Sequence, residues 1–325
     1  MQEILFISYD GLLDPLGRSQ ILPYLLGLSD KGFKINILSF EKPNNNYEEI
    51  ILLKKQLNNH NINWYKLNFI KGKFQGIIRI IKGAILVRYI CNKRKISLIH
   101  LRAILPAIIY CFSFCRKKFI YDVRSFAGQW VDTKAIKKNS ITEKIFYRIE
   151  KFLIRKSAGL VVLDISGAKY LKKFHMIKNK LKIIPTSTDL FSYKLKDISK
   201  KRKSIKFVSL GGSSYPYLPR EALYFVKQLI KLGYDCKIDF INKGDFSIIK
   251  KIVNEINFPL NRINILEMSR DQIFASLSNY DCGLVFIDSG YWIKMCSPTK
   301  VGEYLAAGLF VMSLEGIKVT DRLAN

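Results

Sequence analysis

The chain has 325 residues, of which 49% are hydrophobic and 25% charged, so it can bury an ordinary core and does not belong to the disordered class. Its length favours two domains over one. Lys and Arg outnumber Asp and Glu by 54 to 26, which gives a net charge of +28. This excess predicts anionic partners, namely lipid surfaces, phosphorylated substrates or nucleic acid.

Cysteine usage argues against a structural metal site. The six cysteines form no Cys-x-x-Cys pair, and with only three His the sequence offers no zinc-ligand spacing. Free thiols are typical of a reducing compartment, so we expect a cytoplasmic location. A strand pattern at the first residues predicts no signal peptide. The longest uncharged apolar run, residues 103–115, is too short to span a bilayer.

In chain order, the first half alternates short apolar runs with amphipathic segments. The runs predict buried strands and the segments predict helices, which together indicate a parallel, doubly wound α/β sheet. The predicted strands cover residues 4–8, 34–40, 62–67, 98–101, 119–122, 159–162 and 181–184. The predicted helices cover residues 19–31, 47–58, 76–91 and 141–156.

A basic stretch at residues 194–206 interrupts the alternation, and we interpret it as an inter-domain linker, with a nucleic-acid patch as the alternative. The pattern then resumes. The prediction is a Rossmann-like domain at 1–193, a linker at 194–204 and a second, shorter Rossmann-like domain at 205–325. In the second half, strands are predicted at 205–210, 235–242, 262–266, 282–286 and 310–312, and helices at 220–232, 246–257 and 271–278.

The segment from Ser297 to Gly308 is the most informative part of the sequence. Ser297 is predicted as the N-cap of a short helix, Pro298 as its first residue and Gly308 as its stop. Val301 and Leu305, four residues apart, are predicted to share the buried face.

This helix also predicts a ligand site. A helix N-terminus beside Lys300 suits an anion, and Glu303, one turn further, can bind the hydroxyls of a sugar. A phosphate and a sugar together describe a nucleotide. An ordinary capped helix on an α/β sheet is the alternative.

Four loops follow predicted strands. In doubly wound sheets, ligands bind beyond the carboxyl ends of the strands, so these loops are expected to line a site, and two facing halves would make a cleft. The loops are residues 10–18, 122–126, 211–214 and 287–299, the last of which includes Lys294.

These segments, in their order, resemble the bacterial family 4 retaining glycosyltransferases, which have the GT-B fold. The resemblance covers essentially the whole chain. Its matching stretches are residues 7–11 (Ile-Ser-Tyr-Asp-Gly), 14–20 (Asp-Pro-Leu-Gly-Arg-Ser-Gln), 22–25, 119–124 (Phe-Ile-Tyr-Asp-Val-Arg), 160–163, 184–189, 210–213 (Leu-Gly-Gly-Ser) and 296–308.

The resemblance implies a nucleotide-sugar donor as co-substrate, with no further cofactor. It places Gly17 and Arg18 of the first domain, and Gly211 and Gly212 of the second, against the donor phosphates. Residues implied in the donor loop are Lys294, Ser297, Pro298, Thr299, Lys300 and Glu303.

Within that loop, Lys300 would stabilise the leaving diphosphate and Glu303 would hold the ribose. Asp122 and Arg124 stand where the family has acceptor-side polar groups, although a local salt bridge is the alternative. With Lys300 they form the implied catalytic set. No Asp-x-Asp occurs in the sequence, so cations are expected to replace a metal.

The sequence departs from the family pattern in three places. Met295 occupies the position where many relatives have a first glutamate, eight residues before Glu303. Residues 213–219 lack the usual cation pair, and Arg220 is the first cation there. The sequence ends at Asn325, soon after the last strand, so we expect a C-terminally truncated protein, and an inactive remnant is an alternative reading.

Residues 69–95 interleave apolar and basic side chains in a helical pattern. Such a helix suits an anionic membrane surface and a lipid-linked glycan acceptor, as in surface polysaccharide or lipopolysaccharide assembly. A core-facing helix with a solvated basic side is the alternative. A basic nucleic-acid-binding protein is the rival function, but no recognisable module supports it; a nucleotide-sugar epimerase is another rival, without visible acid/base groups.

Overall fold

The computed structural model describes residues 2–43, 46–70, 72, 74–175, 180–188, 193–195, 203–242, 246–288 and 290–324, except for the side chains of Phe174, His175, Lys294 and Ala324. The chain folds as two compact units, Met1–Pro185 and Thr186–Asn325. The boundary between the units precedes the predicted domain end at residue 193. Most of the predicted linker, residues 196–202, lies outside the described residues.

The first unit contains a seven-stranded parallel sheet. Its strands are β1 (Glu3–Ile7), β2 (Lys34–Glu41), β3 (Ile62–Asn68), β4 (Ile96–Arg102), β5 (Phe119–Val123), β6 (Gly159–Val162) and β7 (Leu181–Ile183). Their order is β3-β2-β1-β4-β5-β6-β7. Strands β2 and β3 are therefore added on one side of β1 and strands β4 to β7 on the other, which puts the topological switch point between β1 and β4. All residues of β1 are buried, as expected for a central strand covered on both faces.

Helices connect these strands. They are α1 (Leu22–Asp30), α2 (Tyr47–Asn59), α3 (Gln75–Lys93), α4 (Ile104–Phe112), α5 (Ala127–Asp132), α6 (Ile141–Lys156) and α7 (Ile165–His175). Side-chain caps fix where α2 and α6 begin: the Asn46 oxygen accepts from the Glu48 N–H at 2.9 Å, and the Ser140 hydroxyl accepts from the Glu143 N–H at 3.2 Å. The apolar run at residues 103–115 forms α4, a helix that the sequence analysis did not assign.

The second unit has the same α/β architecture, with a sheet of five parallel strands. They are β8 (Ile205–Leu210), β9 (Cys236–Ile241), β10 (Ile263–Leu266), β11 (Cys282–Val285) and β12 (Phe310–Ser313), in the order β10-β9-β8-β11-β12. Its helices are α8 (Pro219–Lys231), α9 (Ser247–Glu255), α10 (Arg270–Ser276), α11 (Thr299–Ala306) and α12 (Lys318–Ala324). The prediction of two doubly wound parallel sheets is confirmed.

Helix α3 has apolar residues on both faces. Gly83, Ala84, Val87 and Ile90 face inward and are buried. The two methyl carbons of Ile109 in α4 lie 3.0 and 3.2 Å from the position that a Cβ of residue 83 would occupy. The opposite face exposes Phe74, Ile77, Ile81, Ile85 and Tyr89. Within the described part of the chain, no helix combines the length and the apolar character needed to cross a bilayer.

Tyr304 holds α11 against the second sheet. Its side chain is fully buried, and its hydroxyl accepts a hydrogen bond from the Leu210 N–H at 2.8 Å. Its ring lies directly on Gly283 of β11, where a Cβ would come within 2.2 Å of a ring carbon. The helix can therefore approach the sheet this closely only because residue 283 has no side chain.

We expect Gly283→Ala to lower the free energy of unfolding by about 1–3 kcal/mol, because the added methyl group must displace the Tyr304 ring from a packed core. Gly27→Ala in α1 is the matched control, since no atom lies within 4 Å of its added methyl group. The control should be neutral or stabilising by up to about 1 kcal/mol. Denaturant unfolding of the two variants checks this; equal stability would show that the Tyr304 contact is looser than described.

Candidate functional site

The N-terminus of α11 differs from its prediction. The helix begins at Thr299 with Pro298 as its N-cap, and no side chain caps it. The Ser297 hydroxyl instead accepts from the Thr186 N–H at 3.2 Å and lies 2.8 Å from the Thr186 hydroxyl. The predicted roles of Ser297 as cap and Pro298 as first helical residue are therefore wrong, because Ser297 bonds a residue distant in sequence.

The rest of α11 follows its prediction in part. Gly308 lies after the last turn as expected, with its N–H on the Leu305 carbonyl at 3.0 Å and the Leu309 N–H on the Tyr304 carbonyl at 3.0 Å. Val301 is buried, but Leu305 is 48% exposed, so its predicted burial is wrong. Tyr304, three residues after Val301, fills the buried face instead.

Lys300 lies at the carboxyl edge of the second sheet, beneath the turn that follows β8. It is 7% exposed, and its Nζ donates a hydrogen bond to the Leu210 carbonyl and lies 4.2 Å from the centroid of the Tyr217 ring. Burial lowers the pKa of Lys300 to about 7, against an opposing effect of the Glu303 charge. This amine therefore changes its charge near neutral pH.

Gly211 and Gly212 form the turn over Lys300. Gly211 has φ +112°, and a Cβ there would lie 2.9 Å from the Lys300 Nζ. A Cβ at residue 212 would lie 2.9 Å from the Tyr217 ring. The structure thus brings three predicted donor-site residues together with Tyr217, which the sequence analysis missed. The sequence signal for Tyr217 was an aromatic residue in the loop after a glycine turn, and this pattern is too common to indicate a site.

Glu303 lies one turn after Thr299 on α11 and is already paired. Its Oε1 accepts from Arg270 Nη1 at 3.2 Å, with side chains 12% and 22% exposed respectively. Arg270 is the first residue of α10. The sequence analysis missed Arg270, because nothing in the sequence relates residues that are 33 positions apart on two separate helices.

Three other predictions concern this unit. The side chain of Lys294 lies outside the described residues, so its predicted role remains a prediction. Met295 is buried. The Arg220 guanidinium forms an exposed ion pair with Glu255.

In the first unit, Asp122 and Arg124 lie together at the carboxyl end of β5. Asp122 Oδ2 accepts from Arg124 Nε at 2.8 Å and contacts His100 Nε2 at 3.3 Å. Burial opposes ionisation of this carboxyl, but the bond from His100 and the charge of Arg124 outweigh it and lower its pKa. Asp122 is 1% exposed, and its Oδ1 is buried without a hydrogen-bond partner among the described residues.

A second polar group flanks Asp122. Arg102, at the end of β4, donates to Asp10 Oδ2 at 2.7 Å and to Gln20 Oε1 at 3.0 Å. His100 and Arg102 are both buried and were missed by the sequence analysis. Their signal was present: two polar residues alternate near the carboxyl end of an otherwise apolar strand.

Gly17 and Arg18 lie in the loop between β1 and α1. Gly17 begins a π-helical turn, and a Cβ there would lie 1.9 Å from the Gly11 carbonyl oxygen, so no side chain fits. Arg18 pairs with Glu49 of α2 at 3.0 Å. The buried Glu41, also missed, orders this loop by accepting from the Leu12 N–H at 2.7 Å. The predicted phosphate contacts of Gly17 and Arg18 remain predictions.

Among the described residues, no three His, Cys, Asp or Glu side chains gather in a way that could hold a metal ion.

No protein-family model matches the sequence, and no curated protein sequence matches it. Solved structures do match its fold. Sucrose-phosphate synthase from Thermosynechococcus elongatus aligns with a TM-score of 0.72 and 13% identity over 96% of this chain and 81% of that chain. A glycosyltransferase from Rickettsia africae ESF-5 aligns with a TM-score of 0.67 and 15% identity over 100% and 82%.

A third structure, Anabaena HepE in complex with UDP and glucose, aligns with a TM-score of 0.62 and 13% identity over 99% of this chain and 83% of that chain. At these identities the likeness concerns the fold. The chain is similar to GT-B glycosyltransferases in having two parallel-sheet α/β units, which agrees with the fold class predicted from the sequence.

The buried Lys300 predicts a specific pH dependence of stability. Between pH 7 and its ordinary value of 10.5, Lys300 is neutral when folded and charged when unfolded, so unfolding takes up a proton. The free energy of unfolding should therefore rise with pH across this window, by up to about 1.4 kcal/mol per pH unit.

Denaturant unfolding at a series of pH values checks this. We expect Lys300→Met to remove this contribution to the slope, whereas Lys231→Met, at an exposed position of α8, should keep it. Identical slopes in the wild type and Lys300→Met would contradict the burial of a neutral amine.

Proposed function

We propose that this chain is a glycosyltransferase that takes a hexosyl group from a nucleotide-sugar donor. The observation that carries the proposal is the cluster of Lys300, Gly211 and Gly212 at the carboxyl edge of the second sheet, where doubly wound folds bind their ligands. The fold it shares with solved glycosyltransferases supports the same conclusion, and one of them, HepE, was solved with UDP and glucose.

The chemistry of Lys300 suits departure of a nucleoside diphosphate. The bond between the anomeric carbon and the diphosphate oxygen breaks, and negative charge builds on that oxygen. A positioned ammonium group and the N-terminus of α11 stabilise this charge most strongly in a site that excludes water. Because the pKa of Lys300 is about 7 without ligand, an arriving phosphate would favour its protonated form.

Asp122 and Arg124 are proposed to act on the acceptor. A buried carboxylate oxygen without a partner costs about 1–3 kcal/mol, so Asp122 Oδ1 would gain from the hydroxyl of an acceptor sugar. The acceptor oxygen forms the new bond to the anomeric carbon, and its proton leaves with the diphosphate. Retention of anomeric configuration is proposed from the resemblance of the donor loop to retaining enzymes.

We place the enzyme on the inner face of the cytoplasmic membrane, with a lipid-linked glycan acceptor in surface polysaccharide or lipopolysaccharide synthesis. The support is α3, whose outward face exposes Ile77, Ile81 and Ile85 by 60%, 51% and 65% at helical spacing. Lys82 and Arg88 flank them and are exposed. An apolar stripe between cations suits an interface of anionic lipid.

Calorimetric titration with UDP-, GDP- and ADP-sugars tests the donor. We expect one class to bind, and Glu303→Ala to weaken its binding by about 1.5–3 kcal/mol, roughly 10- to 150-fold, because the ribose hydroxyls lose a charged acceptor. Glu221→Ala, on an exposed position of α8, is the control and should bind as the wild type does. Unchanged binding by Glu303→Ala would show that this residue does not contact the nucleotide.

A second measurement concerns metal dependence. Sugar transfer, or slow hydrolysis of the donor, should continue in excess chelator, because Lys300 and the α11 N-terminus supply the positive charge that a divalent ion supplies elsewhere. Loss of activity in chelator and its return with magnesium or manganese would refute this mechanism.

A third measurement concerns the membrane. The double variant Ile81→Glu/Ile85→Glu should abolish sedimentation with vesicles rich in anionic lipid, since it places two carboxylates on the apolar stripe. Ile51→Glu/Leu52→Glu makes the same change at exposed positions of α2 and should leave binding intact. If both double variants bind equally, α3 is not the contact surface.

A further inference from the structure

Glu303 forms an ion pair with Arg270, a residue that has no role in the reaction proposed above. Arg270 Nη1 lies 3.2 Å from Glu303 Oε1, and both side chains are mostly withdrawn from solvent. The pair joins the first residue of α10 to the second turn of α11, and the two helices follow strands of the same sheet. Both residues therefore belong to the carboxyl edge, where the nucleotide is proposed to bind.

Arg270 is held in place by local structure rather than by Glu303 alone. A capping box fixes the first turn of α10: the Gln272 N–H donates to the Ser269 hydroxyl at 3.3 Å, and the Ser269 N–H donates to Gln272 Oε1 at 2.7 Å. The guanidinium carbon lies 4.5 Å from the centroid of the Phe274 ring, one turn along the same helix. Arg270 is thus preorganised to present its guanidinium to Glu303.

The aromatic contacts extend to Tyr193. The rings of Phe274 and Tyr193 meet edge to face with centroids 4.6 Å apart, and Thr188 Oγ1 donates to the Tyr193 hydroxyl at 3.2 Å. Burial and then the charge of Glu303 raise the pKa of Tyr193. Glu303 therefore lies close to both the Arg270 guanidinium and the Tyr193 phenol, and these neighbours constrain its carboxylate.

Orientation matters for the ligand proposed here. A carboxylate can accept hydrogen bonds from two adjacent hydroxyls, as on a ribose, only if its oxygens face both. A mostly buried carboxylate without its cation would lose both its orientation and part of its preference for the charged form.

We infer that Arg270 is a positioning residue for Glu303 and thereby sets how strongly the site prefers a nucleotide with intact ribose hydroxyls. This inference rests on the proposed function.

The test compares two ligands in four proteins. The nucleoside diphosphate that binds best among UDP, GDP and ADP is titrated calorimetrically beside its 2′,3′-dideoxy form. The wild type should prefer the ribose form by about tenfold or more. Arg270→Gln should reduce that preference to about threefold or less while leaving affinity for the dideoxy form unchanged, and Arg270→Lys should restore part of it.

Arg262→Gln is the matched control. Arg262 precedes β10 whereas Arg270 follows it, and Arg262 also forms an ion pair, with Asp235; the Arg262 and Arg270 side chains are 30% and 22% exposed. Its variant should keep the full ribose preference. If Arg270→Gln fails to fold, the comparison is made with Arg270→Lys, which should then show an intermediate preference.

A double-variant cycle separates action through Glu303 from other roles. In a Glu303→Ala background, Arg270→Gln should have no further effect on either ligand. A preference retained in Arg270→Gln, or an equal loss for both ligands, would overturn the inference while the proposed function stands. A wild type that binds none of the three nucleoside diphosphates would overturn both.

Discussion

The burial of the Lys300 amine under the turn that follows β8 constrains the carboxyl edge of the second sheet. Lys300 lies beneath a turn of two glycines, with its charge opposed by burial and its Nζ hydrogen-bonded only to a carbonyl oxygen, Leu210, among the contacts described. A lysine in such a place normally costs stability, because a charged group is removed from water without a paired anion. A bound anion would offset this cost, because it would pair with the charge of the ammonium group.

The neighbouring residues of α11 have different contacts. Tyr304 fastens it to the sheet through the Leu210 N–H and Gly283, and Glu303 meets Arg270 on the partly exposed side. Leu210 is shared, since its N–H donates to Tyr304 and its carbonyl accepts from Lys300. The last residue of β8 therefore couples the position of the helix to the position of the amine.

The sequence predicted the elements well where local physics decides them. Apolar runs located β8 and β11, and Gly308 located the end of α11, because burial and left-handed backbone leave local signals. The sequence-based predictions failed where a partner distant in sequence takes the place of a local hydrogen-bond partner. The Ser297 hydroxyl satisfies every local criterion for an N-cap, yet it bonds Thr186, 111 positions away. Arg270 was missed for the same reason, since its partner Glu303 lies on another helix, 33 positions away.

We propose that the carboxyl edge of the second sheet binds a nucleotide. Hydrogen exchange of the wild type, with and without a saturating nucleotide sugar, tests it most directly. We expect slower exchange in peptides covering residues 208–214 and 297–304, which carry the glycine turn and most of α11. Exchange should be unchanged at residues 259–263, at the opposite edge of the same sheet. Ligand-dependent protection that spares both of the first two segments would contradict it.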